Sequence, residues 1–296
     1  MIGEIAALTA AFLWALSSVV YSFLGQKIPP LQLNFFKGII AIVLILLTLG
    51  IQNGLTPIAP LPLTLLAISG LVGIGMGDTA YFFALNNLGA RRTLVLETLS
   101  PPLGALLTFI TIGEVISPLA WCGIFLTLLG VIWVISEQTV EISYSDRKHG
   151  IIWAILAALS QAIGAVLSRL ALLGSDINPL ESSLIRILAG SAIALMLAQL
   201  PIFSKGQTLK NTIKSFSRRT VTIIFFAALG STYLGIWLQQ TSLKFAPTGI
   251  AQTLLATSPL FIIPITLMMG EKVSWRSVFG VMIALAGISL LFVRSN

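Results

Sequence analysis

The chain has 296 residues, of which 56% are hydrophobic and only 9% charged, with a formal charge of +7 and a mean hydropathy of +0.99. Soluble domains carry roughly 25% charged residues, so the composition excludes a water-facing globular protein and points to a polytopic membrane protein. One cysteine, Cys122, excludes an intramolecular disulfide framework, and one histidine, His149, leaves no histidine-rich metal site.

About twenty apolar residues span a hydrocarbon core. Ten segments meet that test, at about 2–24, 31–49, 63–88, 93–112, 119–135, 150–173, 180–200, 221–243, 249–269 and 278–292. The first, beginning MIGEIAALTAAF, lacks a basic leader and is expected to be a retained helix rather than a cleaved signal peptide. The breaks carry turn residues: Pro29-Pro30, Gly54 with Pro57, Pro60 and Pro62, Gly89, Gly113-Glu114, Asn178-Pro179, Pro247 and Gly270-Glu271. Two connections are longer, 137–149 and 201–220; the second carries Lys205, Lys210, Lys214, Arg218 and Arg219 with no acid.

The stretch 97–114, ETLSPPLGALLTFITIGE, has an echo at 254–271, LLATSPLFIIPITLMMGE, at an offset of 157. That offset also joins Gly73, Gly123 and Gly130 to Gly230, Gly280 and Gly287. Earlier in the chain Gly3 pairs with Gly150 and Ala10-Ala11 with Ala157-Ala158 at 147, and Lys37 with Arg186 at 149. The chain therefore reads as a duplicated unit: a first five-helix repeat over 1–137, a polar linker over 138–148 and a second repeat over 149–296. An odd number of helices per unit makes the two insert with opposite topology, the build of many secondary transporters, whose sites lie between the halves near the bilayer midplane. The fold class expected is all-α, with ten transmembrane helices as two inverted five-helix repeats.

With Ser100-Pro101-Pro102…Gly113-Glu114 and Ser258-Pro259…Gly270-Glu271 in place, the doubled unit resembles the EamA-type members of the drug/metabolite transporter superfamily over nearly the whole chain. The resemblance implies an exporter or exchanger of small metabolites, with a central cavity lined by the third, fourth, sixth and eighth to ninth helices. It implies cytoplasmic termini as well. The charges argue otherwise. Lys27, Arg91, Arg92, Arg147, Lys148, the five cations of the long loop, Lys272 and Arg276 share one side, against Lys244 and Arg294 beside the termini. The positive-inside rule then places both termini outside an inner membrane. The +7 charge is thereby an orientation signal, not a nucleic-acid footprint.

Ionisable residues within spans are costly and mark candidate sites. Four stand out: Lys37, Asp78, Glu97 and Arg186. At a rise of about 1.5 Å per residue, Lys37, Glu97 and Asp78 lie roughly 10, 6–8 and 13–15 Å from the same membrane side. Lys37 can therefore pair with either acid, or a carboxylate can titrate as cargo moves. The second half replaces Asp78 by Gly235 and Glu97 by Leu254, so Arg186 has no acid at the equivalent places; it either holds backbone and interface groups or offers donors to an anionic cargo. Helical spacing groups Trp14, Ser17, Ser18 and Tyr21 on one face of the first span, and Gln161, Gly164, Ala165 and Ser168 on the sixth. Gly164–Ser168 reads as a packing seam. Trp14, Tyr81, Gln161, Tyr233, Trp237, Gln240 and Gln252 are the substrate-cavity candidates. Pro101, Pro102, Pro259 and Pro264 free carbonyls inside spans and are either hinges or static kinks.

No GxxxxGK[ST] loop occurs, so ATP is not expected to drive transport directly. The expected function is secondary transport of a small-molecule substrate such as an amino acid or amphipathic compound, with the lipid bilayer as solvent and protons as a candidate coupling ion. No cofactor, metal or nucleic acid is expected, and monomer and homodimer both remain open. A membrane-embedded enzyme or a non-transporting interaction subunit is the alternative.

Overall fold

The computed structural model describes residues 1–51, 57–112, 117–135, 144–200, 208–246, 248–270 and 273–291. Gly54, Gly113-Glu114, Lys205, Pro247, Glu271, Lys272, Arg294 and most of the 138–148 linker lie outside the described residues. Every regular element among the described residues is helical. In order these are α1 (Ile2–Leu24), α2 (Pro30–Ile51), α3 (Pro60–Ser69), a π-helical stretch (Gly70–Gly77), α4 (Asp78–Glu97), α5 (Ser100–Ile112), α6 (Pro118–Ile135), α7 (Tyr144–Leu172) and α8 (Pro179–Ala198). They continue as α9 (Leu209–Ser215), α10 (Arg218–Ala228), a second π-helical stretch (Leu229–Leu234), α11 (Gly235–Phe245), α12 (Thr248–Leu255), α13 (Ser258–Met268) and α14 (Trp275–Leu291).

Among the described residues, seven helical runs are long and apolar enough to cross a membrane, and Trp121–Val134 and Trp275–Leu290 are shorter apolar helices. One of the seven, Pro60–Glu97, joins the predicted third span to the start of the predicted fourth. The chain leaves helical geometry at Gly89, with φ 76° and ψ 170°. That φ is open to glycine at little cost and strains other residues, so a one-residue turn separates what the sequence predicted as the third and fourth spans. Large apolar side chains point outward at mid-helix, including Leu47, Phe125, Ile132 and Met282. In water such a surface would aggregate; against acyl chains it costs nothing.

Two predicted spans are broken. The segment 93–112 is interrupted at Thr98-Leu99, between α4 and α5, and 249–269 at Ala256-Thr257, between α12 and α13. Both breaks precede a Ser-Pro pair, Ser100-Pro101 and Ser258-Pro259. A proline lacks the N–H that would continue the helical ladder, and its ring disfavours helical backbone in the residue before it. The structural register of these breaks is 158, one more than the 157 that joins Gly113 to Gly270.

Equivalent elements make equivalent contacts. α1 packs on α11, α12 and α13, while α7 packs on α3, α4 and α5. α2 packs on α8, and α6 on α14. The α6–α14 seam explains three of the repeated glycines. A Cβ added at Gly130 would lie 2.5 Å from Ala284 N, and one at Gly287 would lie 2.4 Å from Thr127 N and 2.7 Å from Gly123 O. One at Gly280 would meet Val134 Cγ2 at 2.6 Å. Backbones this close give the contact its dispersion energy without a hydrophobic driving force in lipid.

The two π-helical stretches are also repeated, and each wide turn shifts the faces presented by the residues after it. A wide turn frees backbone carbonyls, which need donors where water is absent. Asn34 Nδ2 donates to Ile74 O at 2.8 Å, and Trp14 Nε1 donates to Ser231 O at 3.0 Å. Ile74 and Ser231 are separated by the repeat offset of 157. The same carbonyl is satisfied in each half, by a different helix.

Candidate functional site

Where α1, α2, α4, α7 and α11 converge with the breaks before Pro101 and Pro259, the helices leave a partly open cavity of about 140 Å³. At about 30 Å³ per water in the liquid, that is room for roughly five waters or a small metabolite. All four intramembrane ionisable residues, Lys37, Asp78, Glu97 and Arg186, line it. Trp14, Tyr81, Gln161, Gln252, Pro101 and Pro259 line it too.

The acids and cations are arranged unequally. Lys37, 5% exposed, forms an ion pair with Asp78 and lies 5.3 Å from the centroid of the Phe82 ring. The second Asp78 oxygen accepts a hydrogen bond from Gln161 Nε2 at 3.3 Å. Of the two pairings the depths allowed, Lys37 thus takes Asp78. Glu97, at the last residue of α4, is left with a buried Oε1 that has no hydrogen-bond partner. Arg186 is 1% exposed. Its Nη1 donates to Gln239 Oε1 at 3.1 Å and to Gln240 Oε1 at 3.0 Å, and Gln240 Nε2 donates onward to Ser182 Oγ at 3.0 Å. Arg186 therefore reaches neither backbone carbonyls nor an interface. Glu181, one turn before it, completes a capping box with Asn178 at the start of α8.

Three predicted cavity residues lie elsewhere. Tyr233 directs its hydroxyl to Thr48 Oγ1 at 2.8 Å and packs on Trp237, with ring centroids 5.9 Å apart. Both residues join the apolar cluster between α2 and α8. Gln240 is fully buried beneath Arg186. The cause is the second π-helical stretch: a wide turn before α11 rotates the face that an uninterrupted 3.6-residue period would aim at the cavity. Ile236 and Gln239 take that face instead. Among the prolines, Pro102 is buried away from the cavity and Pro264 is exposed inside α13. Gly164 and Ser168 form a seam with α3, where Ser69 Oγ donates to Gly164 O at 2.7 Å and lies 2.9 Å from Ser168 Oγ.

Sequence reasoning missed Gln239, Ser231, Thr98 and Ser258, all at the cavity wall. Gln239 had a signal, a Gln-Gln pair one helical turn from the end of an apolar span. Ser231 bridges Tyr21, with hydroxyls 2.8 Å apart, and no periodicity finds it, because it sits within the π-helical stretch.

A helical bundle with a lipid-facing apolar exterior and buried charges around a central cavity is a multi-pass membrane protein. The chain belongs to the EamA-like transporter family, whose model matches it twice, over residues 1–136 and 148–293. A relative from Archaeoglobus fulgidus, described as an uncharacterized transporter, is 27% identical over 295 residues, covering 99% of both chains. A solved crystal structure superposes with a TM-score of 0.69 at 14% identity, covering 98% of this chain and 96% of its own. At that identity the match speaks for the fold alone.

Proposed function

We propose that this protein is a secondary carrier that moves a small metabolite by alternating access, as an exporter or exchanger, through the cavity between its halves. The single observation that carries this reading is the cavity itself: four intramembrane ionisable side chains from both halves converge on one partly open space. Charges in a bilayer are expensive, and a bundle serving only as a scaffold gains nothing from holding them around a void. The reading takes the chain as ten passes in two inverted five-helix repeats, with Gly89 as the turn between the third and fourth, and with α4–α5 and α12–α13 as broken fourth and ninth passes. Discontinuous helices beside a midplane site are a recurring build of such carriers. The cation-rich connections support an inner-membrane orientation with the termini outside.

Glu97 is the proposed coupling group, since it lines the cavity and its buried Oε1 has no hydrogen-bond partner. The test is uptake of a labelled amino-acid and metabolite panel into proteoliposomes, with and without an imposed pH gradient, alongside Glu97→Gln. Uptake that rises with the gradient in the wild type and loses that rise in the variant is the expected result. Uptake indifferent to both makes the protein a facilitator, and no uptake of any solute overturns the carrier reading.

A further inference from the structure

The repeat places a cation at equivalent positions of α2 and α8, and the two halves treat them differently. Lys37 has a carboxylate partner in Asp78. Arg186 has two amide oxygens, which carry no net charge. We infer that Arg186 forms an oxyanion subsite, so that the cargo bears a carboxylate or phosphate group that docks on its guanidinium; this rests on the carrier reading above.

Three observations support the assignment. First, both amide contacts end on Nη1, while Nε is buried and has no hydrogen-bond partner. The Nε edge is one with which a planar guanidinium grips an oxyanion in a fork. Second, the side chain passes over two glycines that leave it room. A Cβ added at Gly73 would lie 3.3 Å from Nη2, and one at Gly164 would lie 3.5 Å away. Third, Gln239 and Gln240 fix the guanidinium, and Gln240 is itself held by Ser182. A site held in place before cargo arrives loses little ordering entropy on binding. Burying an unpaired cation is costly, and a cargo oxyanion supplies the counter-charge that no acid bonded to Arg186 provides. Asp78 shares the cavity but is committed to Lys37 and Gln161. The unpartnered Glu97 Oε1 then meets a hydrogen-bond donor elsewhere on the same molecule. The cargo class is a small oxyanion-bearing metabolite, with an ammonium or hydroxyl group as its second feature.

The test uses the purified full chain and matched probes that differ only in charge: 3-phenylpropionate, phenylalanine, phenethylamine and 3-phenylpropionamide, with the same four head groups on a butyl chain. Melting temperature against probe concentration gives apparent affinity, and proteoliposome uptake is measured in parallel. The acids and amino acids raise the melting temperature while the amines and amides do not. Arg186→Gln weakens their binding roughly tenfold or more, the worth of a charge-assisted hydrogen bond. Arg186→Lys keeps the charge, loses the fork and falls between the two. Stabilisation by amines or amides alone, by acids equally in wild type and Arg186→Gln, or by no acid at all overturns the subsite. Where Arg186→Gln does not fold, Arg186→Lys decides the point: acid binding unchanged in that variant overturns the subsite. Uptake of amines with no effect of acids sinks the subsite and leaves the carrier; acid binding without passage of any probe does the reverse.

Discussion

The two halves share a backbone plan and differ in how they settle their buried polar groups. In the first half the α2 cation meets a carboxylate, and the freed carbonyl of Ile74 is taken by Asn34 from the same half. In the second half the α8 cation meets two glutamines, and the equivalent carbonyl of Ser231 is taken by Trp14 from the opposite half. Duplication fixed the positions at which polar partners are needed, and divergence chose who supplies them. The first half pairs its α2 cation with an acid of its own, and the second leaves its α8 cation without one.

The largest effect comes from breaking the closed pair. Asp78→Ala strands Lys37 in a low-dielectric interior, which costs about 3–5 kcal/mol, and a thermal melt of the purified protein reads the loss. Removing both charges with Lys37→Met and Asp78→Leu recovers most of that stability, since hydrophobic replacement of a buried pair is often near neutral. A double variant as unstable as the single one contradicts the pairing.

The α6–α14 seam tests the likeness of the halves. Gly130→Val and Gly287→Val each force the helices apart and cost about 1–3 kcal/mol of overpacking. Their melting temperatures fall together, because each added side chain meets the same kind of backbone at 2.4–2.5 Å. A loss confined to one of them breaks the symmetry.

A smaller contrast separates the two glutamines. Gln240→Ala loses its bonds to both Arg186 and Ser182, whereas Gln239→Ala loses one to Arg186. Gln240→Ala is therefore less stable by about 0.5–1.5 kcal/mol, one net hydrogen bond, while Gln239→Ala, at the cavity wall, raises the KM for transport more. Smallest of all is Gly50→Ala. Nothing lies within 4 Å of a Cβ there, and alanine in a helix gains about 0.5–1 kcal/mol over glycine, read as a slight rise in melting temperature.

Much of this architecture was legible in the sequence, for physical reasons. Spanning helices announce themselves by apolar length, and the repeat by glycines, prolines and charges that share one offset. Lys37, Asp78, Glu97 and Arg186 stand out because a bilayer tolerates few charges. What the sequence hid were interruptions of the helical period. Both π-helical stretches leave composition unchanged while rotating the faces around them, so an uninterrupted helical period aims Tyr233 and Trp237 at the cavity and passes over Gln239. Glycine marks the turn at Gly89, whereas the apolar runs around Ser100 and Ser258 predict continuous spans. A single Pro in an apolar run does not say whether the helix bends or stops.

The central claim is that this cavity is the path of the cargo and opens to each side of the membrane in turn. Accessibility of Ala165, at the cavity wall, tests it most directly. Cys122→Ala with Ala165→Cys leaves one thiol, and a membrane-impermeant maleimide is applied from either side of oriented proteoliposomes, with and without a transported solute. The account predicts labelling from both sides, with the solute changing the balance between them. Labelling from one side alone, unmoved by solute, would contradict alternating access through this cavity.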